Sequence, residues 1–220
     1  METLVDRFLR DEIFAFMPLH PNQHAYQAGK SVEIALHQLF VQVGKVLDQQ
    51  ETALGVLLDR EGAFNNTSYD SICAALFKCG VNYTIVRWIR ATLEGGLAEA
   101  TLSKSSGSIE VSRGCSQGGV LLPFLWCLVV DDLIARHNVG GVHTQGYMDG
   151  ICLLMVRKFP NMVAGLKQWA LHIAETWHDE VGPLVNPDKT GLVVFTKRRK
   201  LPGFFLMLLY VTLCRPSISV

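Results

Sequence analysis

Two aspartates stand ninety positions apart, each where an apolar run of strand-like length stops. The first closes ALGVLLD, residues 53–59; the second, Asp149, lies in GYMDG, residues 146–150, just ahead of ICLLMV. A central antiparallel sheet can bring two such carboxylates to one edge. Clustered carboxylates are what two-metal phosphoryl transfer needs, because hard divalent ions about 3.5–4 Å apart require oxygen ligands that hold them and offset their repulsion. Spacing alone leaves the other reading open, a solvated aspartate in each turn.

The elements around them follow from periodicity and turn chemistry. METLVDRFLRDEIFAF reads as an amphipathic helix, HPNQHAYQAGK (20–30) as a turn-prone segment, and residues 31–50 as a second helix with Ile34, Leu36, Leu39, Phe40, Val43 and Leu47 near helical spacing. ALGVLLD is a buried strand with a carboxylate at its end. Thr67 and Asp70 resemble a capping box that opens a helix ending near Gly80, and VRWIRATLEG continues into another. Residues 97–103 and 107–113 read as paired strands joined by SKSSG. A long, mostly buried helix follows, with Pro123 in its first turns. VHTQGY and ICLLMV then form a hairpin with its acidic tip at 149–150, where Gly150 suits a turn. FPNMVAGLKQWALHIAETWHDEVG is a further helix, and PLVNPDKTGLVVFT is strand, turn, strand. The order predicts an α+β fold, an antiparallel sheet backed by helices.

Composition narrows the function classes. Half of the 220 residues are hydrophobic, enough for a sizeable core. Twenty basic residues balance twenty acidic ones, so whole-chain charge argues for neither nucleic acid nor a membrane surface. Any nucleic-acid contact must be local, and residues 186–200 carry five basic residues against one acidic, including the run TKRRK. A solvated surface run remains an alternative for it. Six scattered cysteines without a CxxC pair point to reduced thiols, hence an intracellular protein, with nucleus and cytoplasm undetermined. Charges at Asp6, Arg7, Arg10, Asp11 and Glu12 exclude a signal peptide, and LMLLYVTLC (206–214) is about half the length of a membrane span. The AGKS segment is not a P-loop, because the first glycine of that motif falls on His24. The seven histidines form no HExxH and no zinc-spaced cluster.

GVLLDREGAFNN (55–66), SRGCSQGGVLLPFLWCLVVDDL (112–133) and GYMDGICLL (146–154), in this order, resemble the successive palm motifs of reverse transcriptases of non-LTR retrotransposons, jockey-like elements above all. HPNQHAYQAGKS is similar to the family's fingers motif, VNPDKTGLVVFT to its lysine-bearing palm motif and LPGFF to its primer grip, so the resemblance covers about residues 20–205. It implies a right-hand polymerase fingers and palm over residues 1–205, with an unmatched apolar tail at 206–220 and no thumb.

Carried over residue by residue, the resemblance gives Asp59 and Asp149 as metal-binding, catalytic carboxylates, the latter as the first aspartate of YxDD. Lys189 falls near the leaving pyrophosphate, where a cation or proton donor stabilises developing charge. Phe64 matches the gate against a ribonucleotide 2′-OH, with a core phenylalanine as the other reading. Gln117 and Gly118 match the nucleotide and template pocket, Tyr147 the tyrosine of YxDD beside it, and Lys30 a phosphate contact in the fingers. The implied cofactor is Mg²⁺, with Mn²⁺ as an alternative, and the implied partners are an RNA template, a DNA primer and dNTP; neither a membrane nor a protein partner is implied.

The pattern breaks at Gly150, where the family has the second aspartate. Asn65, Ser116 and Leu122 also depart, where Asp, Pro and a small polar residue are usual. Loss of an anionic ligand leaves divalent charge less compensated, so weak metal binding and an impaired enzyme are expected. The alternatives are a non-catalytic nucleic-acid-binding remnant and an inert retroelement fragment.

Overall fold

The computed structural model describes residues 1–102, 105–110, 113–114, 119–139, 141–182, 184–186 and 189–197. Gln117, Gly118, the LPGFF segment, most of the TKRRK run and the apolar tail lie outside the described residues.

The chain opens with α1 (Glu2–Phe8), continued by a π turn (Leu9–Ile13), and then α2 (Val32–Asp48), which Ser31 caps by accepting from the Ile34 amide. Next come β1 (Thr52–Leu58), β2 (Arg60–Glu61), α3 (Ala63–Asn66), α4 (Tyr69–Lys78), α5 (Tyr83–Glu94), β3 (Leu97–Leu102) and β4 (Ser105–Glu110). The long helix α6 (Leu122–Val139) leads to β5 (His143–Tyr147), β6 (Gly150–Arg157), α7 (Pro160–Val181), β7 (Leu184–Val185) and β8 (Gly191–Phe195).

A four-stranded antiparallel sheet in the order β5-β6-β1-β8 organises the described residues. β1 lies inside it and is buried along nearly its whole length, which is why its sequence is apolar rather than alternating. Leu54, Val56 and Leu58 enter the main core with α4, α6 and α7, whereas Ala53 joins Val43 and Val46 of α2 on the opposite face. The period of two along one strand thus divides two layers of helices. α6 is apolar on all sides up to Val130, where it is sandwiched, and keeps an apolar face beyond: Phe124, Leu125, Trp126, Val130, Leu133 and Ile134 are each at most 2 % exposed. No described helix is long and apolar enough to cross a membrane.

Several local expectations shift. Ser68, not Thr67, caps α4 by accepting from the Ser71 amide, while Asp70 pairs with Arg90 at 2.7 Å. The capping oxygen must reach the amide two or three residues on, and Ser68 is the residue immediately before the first helical residue, Tyr69. β4 begins at Ser105, so Leu102 faces Ser105 and the connection is two residues instead of SKSSG. The 147–150 hairpin turns at Met148 and Asp149; Gly150 is the first residue of β6, paired with Tyr147. β7 and β8 do not pair with each other: β7 joins β2, and β8 joins the free edge of β1. The central strand offers β8 a longer, buried ladder than two-residue β7 could.

Asp131 on α6 is held by the His20 amide, which donates to its Oδ1 at 2.6 Å. Burial pushes its carboxyl above the usual range and Asp132 adds to this, while the His20 amide and the positive His20 and Lys78 act the other way. A raised carboxyl is most compatible with the fold when protonated, so its contribution to stability falls as pH rises from the ordinary carboxylate range through the raised value. Asp131→Asn is expected to lose less stability than the native chain between pH 4 and pH 7. Urea midpoints at the two pH values check this, and parallel profiles contradict it.

Candidate functional site

The register of the sheet decides which side chains meet. Leu58 pairs with Ile151, and continuing that ladder by one residue sets Asp59 opposite Gly150. Opposed residues in an antiparallel pair lie about 4.5–5.5 Å apart between Cα atoms. Asp149 is the next residue along, in the turn. On the other flank Leu57 pairs with Gly191, so the segment before β8 arrives at the same end of the sheet. Its Lys189 Nζ lies 3.2 Å from Asp59 Oδ2, and the Asn186 amide donates to the Asp59 carbonyl at 2.9 Å. The structure therefore brings Asp59, the Asp149 turn and Lys189 to one edge.

Asp59 Oδ2 is shielded from solvent although its side chain as a whole is 29 % exposed. The Lys189 ammonium reaches it as an ion pair, but the geometry makes no hydrogen bond. That oxygen is thus electrostatically satisfied and short of donors, a state in which a cation competes with Lys189 for it. The pair is worth little in itself because Lys189 is 68 % exposed. Lys189→Met is expected to tighten Mn²⁺ binding about two- to fivefold, the size of an exposed ion pair; titration followed by the Mn²⁺ electron spin resonance signal checks it, and weaker binding contradicts it.

The turn that carries Asp149 is fixed from below. Met148 has φ +53°, the conformation in which glycine is favoured at the first central position of a type II′ turn. Non-glycine residues there cost on the order of 1 kcal/mol or more. Trp126 Nε1 of α6 donates to the Met148 carbonyl at 2.8 Å and so holds the turn in place. Phe64, partly buried on α3, packs its ring 5.8 Å from that of Trp126. Tyr147 ends β5 and packs partly buried against the core.

Tyr26 reaches the same neighbourhood from the N-terminal segment. Its phenol is pushed up chiefly by burial, then by the adjacent Cys127, Asp149 and Tyr147. The segment is tied to β5 by the His24 amide donating to Gly146 O at 2.9 Å and the Gly146 amide donating to Asn22 O at 3.0 Å. A Cβ on Gly146 would meet Gln23 Oε1 at 3.0 Å, which is why glycine stands there. Lys30 lies apart from the carboxylates: its Nζ donates to the carbonyls of Pro21 and Gln23, at 2.7 Å each, and braces this segment.

Trp126 and Tyr26 escape a reading of the sequence. A tryptophan in an apolar helix reads as core, and the only hint is that a buried indole N–H requires an acceptor. Tyr26 lies within the fingers-like HPNQHAYQAGKS segment, but nothing in that motif points it to the carboxylates.

The donor set fits a cation only in part. Among the described residues no three His, Cys, Asp or Glu side chains gather as a metal cluster. Two carboxylates suit one hard cation that takes its remaining ligands from water and a substrate phosphate, and are too few to hold two ions unaided. A Cβ on Gly150 would touch nothing nearer than the Tyr147 carbonyl, at 3.4 Å, so the missing third carboxylate is a matter of residue type and not of space.

Known proteins resemble the chain in sequence and in fold. A family model described as reverse transcriptase (RNA-dependent DNA polymerase) matches residues 1–206. The chain is 28 % identical over 174 residues to the 115 kDa protein of the type-1 retrotransposable element R1DM of Drosophila melanogaster, covering 78 % of this chain and 16 % of that protein. It is 29 % identical over 136 residues to the Pol polyprotein of element R2 of Popillia japonica, covering 61 % of this chain and 19 % of that one. The chain thus spans under a fifth of either relative. Telomerase from Candida albicans, solved with a TWJ fragment of telomeric RNA, superposes with a TM-score of 0.69 at 11 % identity, over 91 % of this chain and 35 % of that one. Telomerase from Candida tropicalis gives 0.66 at 8 %, over 87 % and 33 %. At these identities the likeness concerns the fold alone.

Proposed function

The chain belongs to the reverse transcriptase (RNA-dependent DNA polymerase) family, and on that premise we propose that it is the fingers and palm of an RNA-directed DNA polymerase whose catalysis is impaired by Gly150. The reaction would join a dNTP to a primer 3′-OH on an RNA template. Asp59 and Asp149 would hold a divalent cation, Mg²⁺ or Mn²⁺, which when bound supplies charge compensation for the triphosphate and the attacking oxygen. Lys189, paired with Asp59 through an exposed and weak ion pair, would be able to serve the departing pyrophosphate as a cation or proton donor. Phe64, packed against Trp126, would be the gate that clashes with a ribonucleotide 2′-OH. Gln117 and Gly118 would line the nucleotide pocket, with Tyr147 beside it. Lys30 would touch phosphate only after giving up the Pro21 and Gln23 carbonyls.

The observation that carries this reading is the register that aligns Asp59 with the 147–150 hairpin at one sheet edge, with Lys189 on the first carboxylate. Primer extension on an RNA template tests it. Slow, metal-dependent incorporation lost in Asp59→Asn supports the reading, and incorporation indifferent to that substitution defeats it.

Gly150 also favours a second reading, a nucleic-acid-binding remnant that performs no turnover. It is distinguished by salt-dependent retention of a primer and template duplex with no extension in either Mg²⁺ or Mn²⁺.

A further inference from the structure

A cavity of about 740 Å³ lies between α4, α6, the end of α7 and the Phe14–Leu19 segment. None of Asp59, Asp149, Lys189 or Phe64 lines it. Its floor is apolar and buried, built from Leu19, Leu128, Val129 and Trp177. The α4 wall consists of small side chains, Ser71, Ala74 and Ala75, which leaves the space open. A concave, mostly apolar site of this volume with a few polar groups has the size and character that hold a compact organic ligand.

Interactions between the helices restrict its shape. Arg136 of α6 reaches Glu180 of α7 at 2.7 Å, and the Ser71 hydroxyl of α4 donates to the Glu180 carbonyl at 3.1 Å, so α7 ties the other two helices together. Lys78 Nζ lies 2.5 Å from Asp132 Oδ1 and links α4 to α6 a second time. A space bridged in this way suits a compact ligand better than an extended chain.

Charge selects among such ligands. The cavity is lined by four carboxylates, Asp70, Asp131, Asp132 and Glu180, and by two basic side chains, Lys78 and Arg136. Three of the carboxylates have side-chain cations: Asp70 has Arg90, Asp132 has Lys78 and Arg136, and Glu180 has Arg136. Asp131 is the exception. Its Oδ1 accepts the His20 amide at 2.6 Å, and among the described residues no basic side chain forms an ion pair with it. The titratable groups around it are His20 and Lys30 of the N-terminal segment, Lys78 and Cys79 of α4, and Cys127 and Asp132 of α6 itself. A partly buried carboxylate without a paired cation, beside an apolar floor, is complementary to a cation with an apolar body.

We propose that this cavity binds a small organic cation, a primary amine on a flat apolar body, with its ammonium on Asp131 and its body against Leu128, Val129 and Trp177. The ammonium supplies donors to a carboxylate that holds one backbone amide, and partial burial makes the pair worth more than one at the surface. The site needs no part of the polymerase chemistry and stands apart from it.

Calorimetry on the native chain with tryptamine, and with tryptophol, which has a hydroxyl in place of the amine, tests this without any variant. Tryptamine is expected to bind at a single site about tenfold more tightly than tryptophol, the size of a charge-assisted hydrogen bond. Asp131→Asn should bring tryptamine down to the affinity of tryptophol. Asp70→Asn, at a carboxylate 82 % exposed, should leave it unchanged. Ala135→Phe places a ring in the cavity from an exposed position on α6 and should abolish binding of both. Absence of tryptamine binding, equal affinity for the two compounds, or equal losses in the two Asn variants overturns the proposal. Tryptamine binding that survives Ala135→Phe places the amine elsewhere and overturns it too.

Discussion

Replacing Gly150 with aspartate is expected to raise Mg²⁺-dependent extension of a primer on an RNA template by about a hundredfold, and Asp149→Asn in the same chain is expected to cancel the gain. The magnitude is that of one preorganised group acting on transition-state charge, about 10²–10³ in rate or about 3–4 kcal/mol. The geometry admits the change. Gly150 has no left-handed backbone angle, its Cβ would find only the Tyr147 carbonyl at 3.4 Å, and its side of the ladder is the one opposite Asp59. Cross-strand neighbours project to the same face, so the new carboxylate would join Asp59 instead of pointing away. Mn²⁺, which accepts imperfect ligand sets more readily than Mg²⁺, should narrow the difference between the native chain and the variant. Equal rates for the two in Mg²⁺ would remove Gly150 as the cause of impairment.

The second large effect concerns stability. Gly114→Ala and Gly182→Ala are each expected to destabilise the chain by about 2–4 kcal/mol, with a matching fall in the urea midpoint. Both glycines have positive φ, +79° and +108°, and both press against the stretch that carries Phe64. A Cβ on Gly114 would collide with the Asn65 carbonyl oxygen, and one on Gly182 would sit 2.6 Å from that of Asn66. These are backbone atoms, which cannot rotate aside as a side-chain end could. The Gly114 amide donates to Thr67 O at 2.8 Å, and the Ser68 amide donates to Val181 O at 3.0 Å, so the loop is clamped from both sides. A control at Gly80 separates conformation from contact: it has φ +75° with open space around the Cβ, and Gly80→Ala should cost only about 1 kcal/mol. Equal losses at all three positions would show that close approach contributes nothing.

What the sequence discloses and what it conceals follow the range of the forces involved. β1 with a carboxylate at its end, the 143–157 hairpin and the buried α6 are legible because period, run length and turn residues are local. The partner of β8 is not, since strand, turn, strand over PLVNPDKTGLVVFT names no neighbour, and β8 takes the exposed edge of β1. A one-residue difference at the hairpin turn has the same origin: cross-strand register, not the glycine, decides that Gly150 belongs to β6. At the site, Asp59 and Asp149 are readable through motif order, while the Trp126 bond to Met148 and the approach of Tyr26 are long-range contacts with no local trace. Lys30 is the instructive case. The fingers resemblance suggests phosphate for it, and here its ammonium serves two carbonyls of its own loop.

In the proposed function Asp59 and Asp149 grip one divalent cation together. Mn²⁺ titration by electron spin resonance, with dNTP present, on the native chain, Asp59→Asn, Asp149→Asn and the double variant, measures this directly. Weak binding that either single substitution removes almost entirely, with no further loss in the double variant, is the predicted result. Binding that survives both substitutions, or that the two reduce independently, would contradict a shared site.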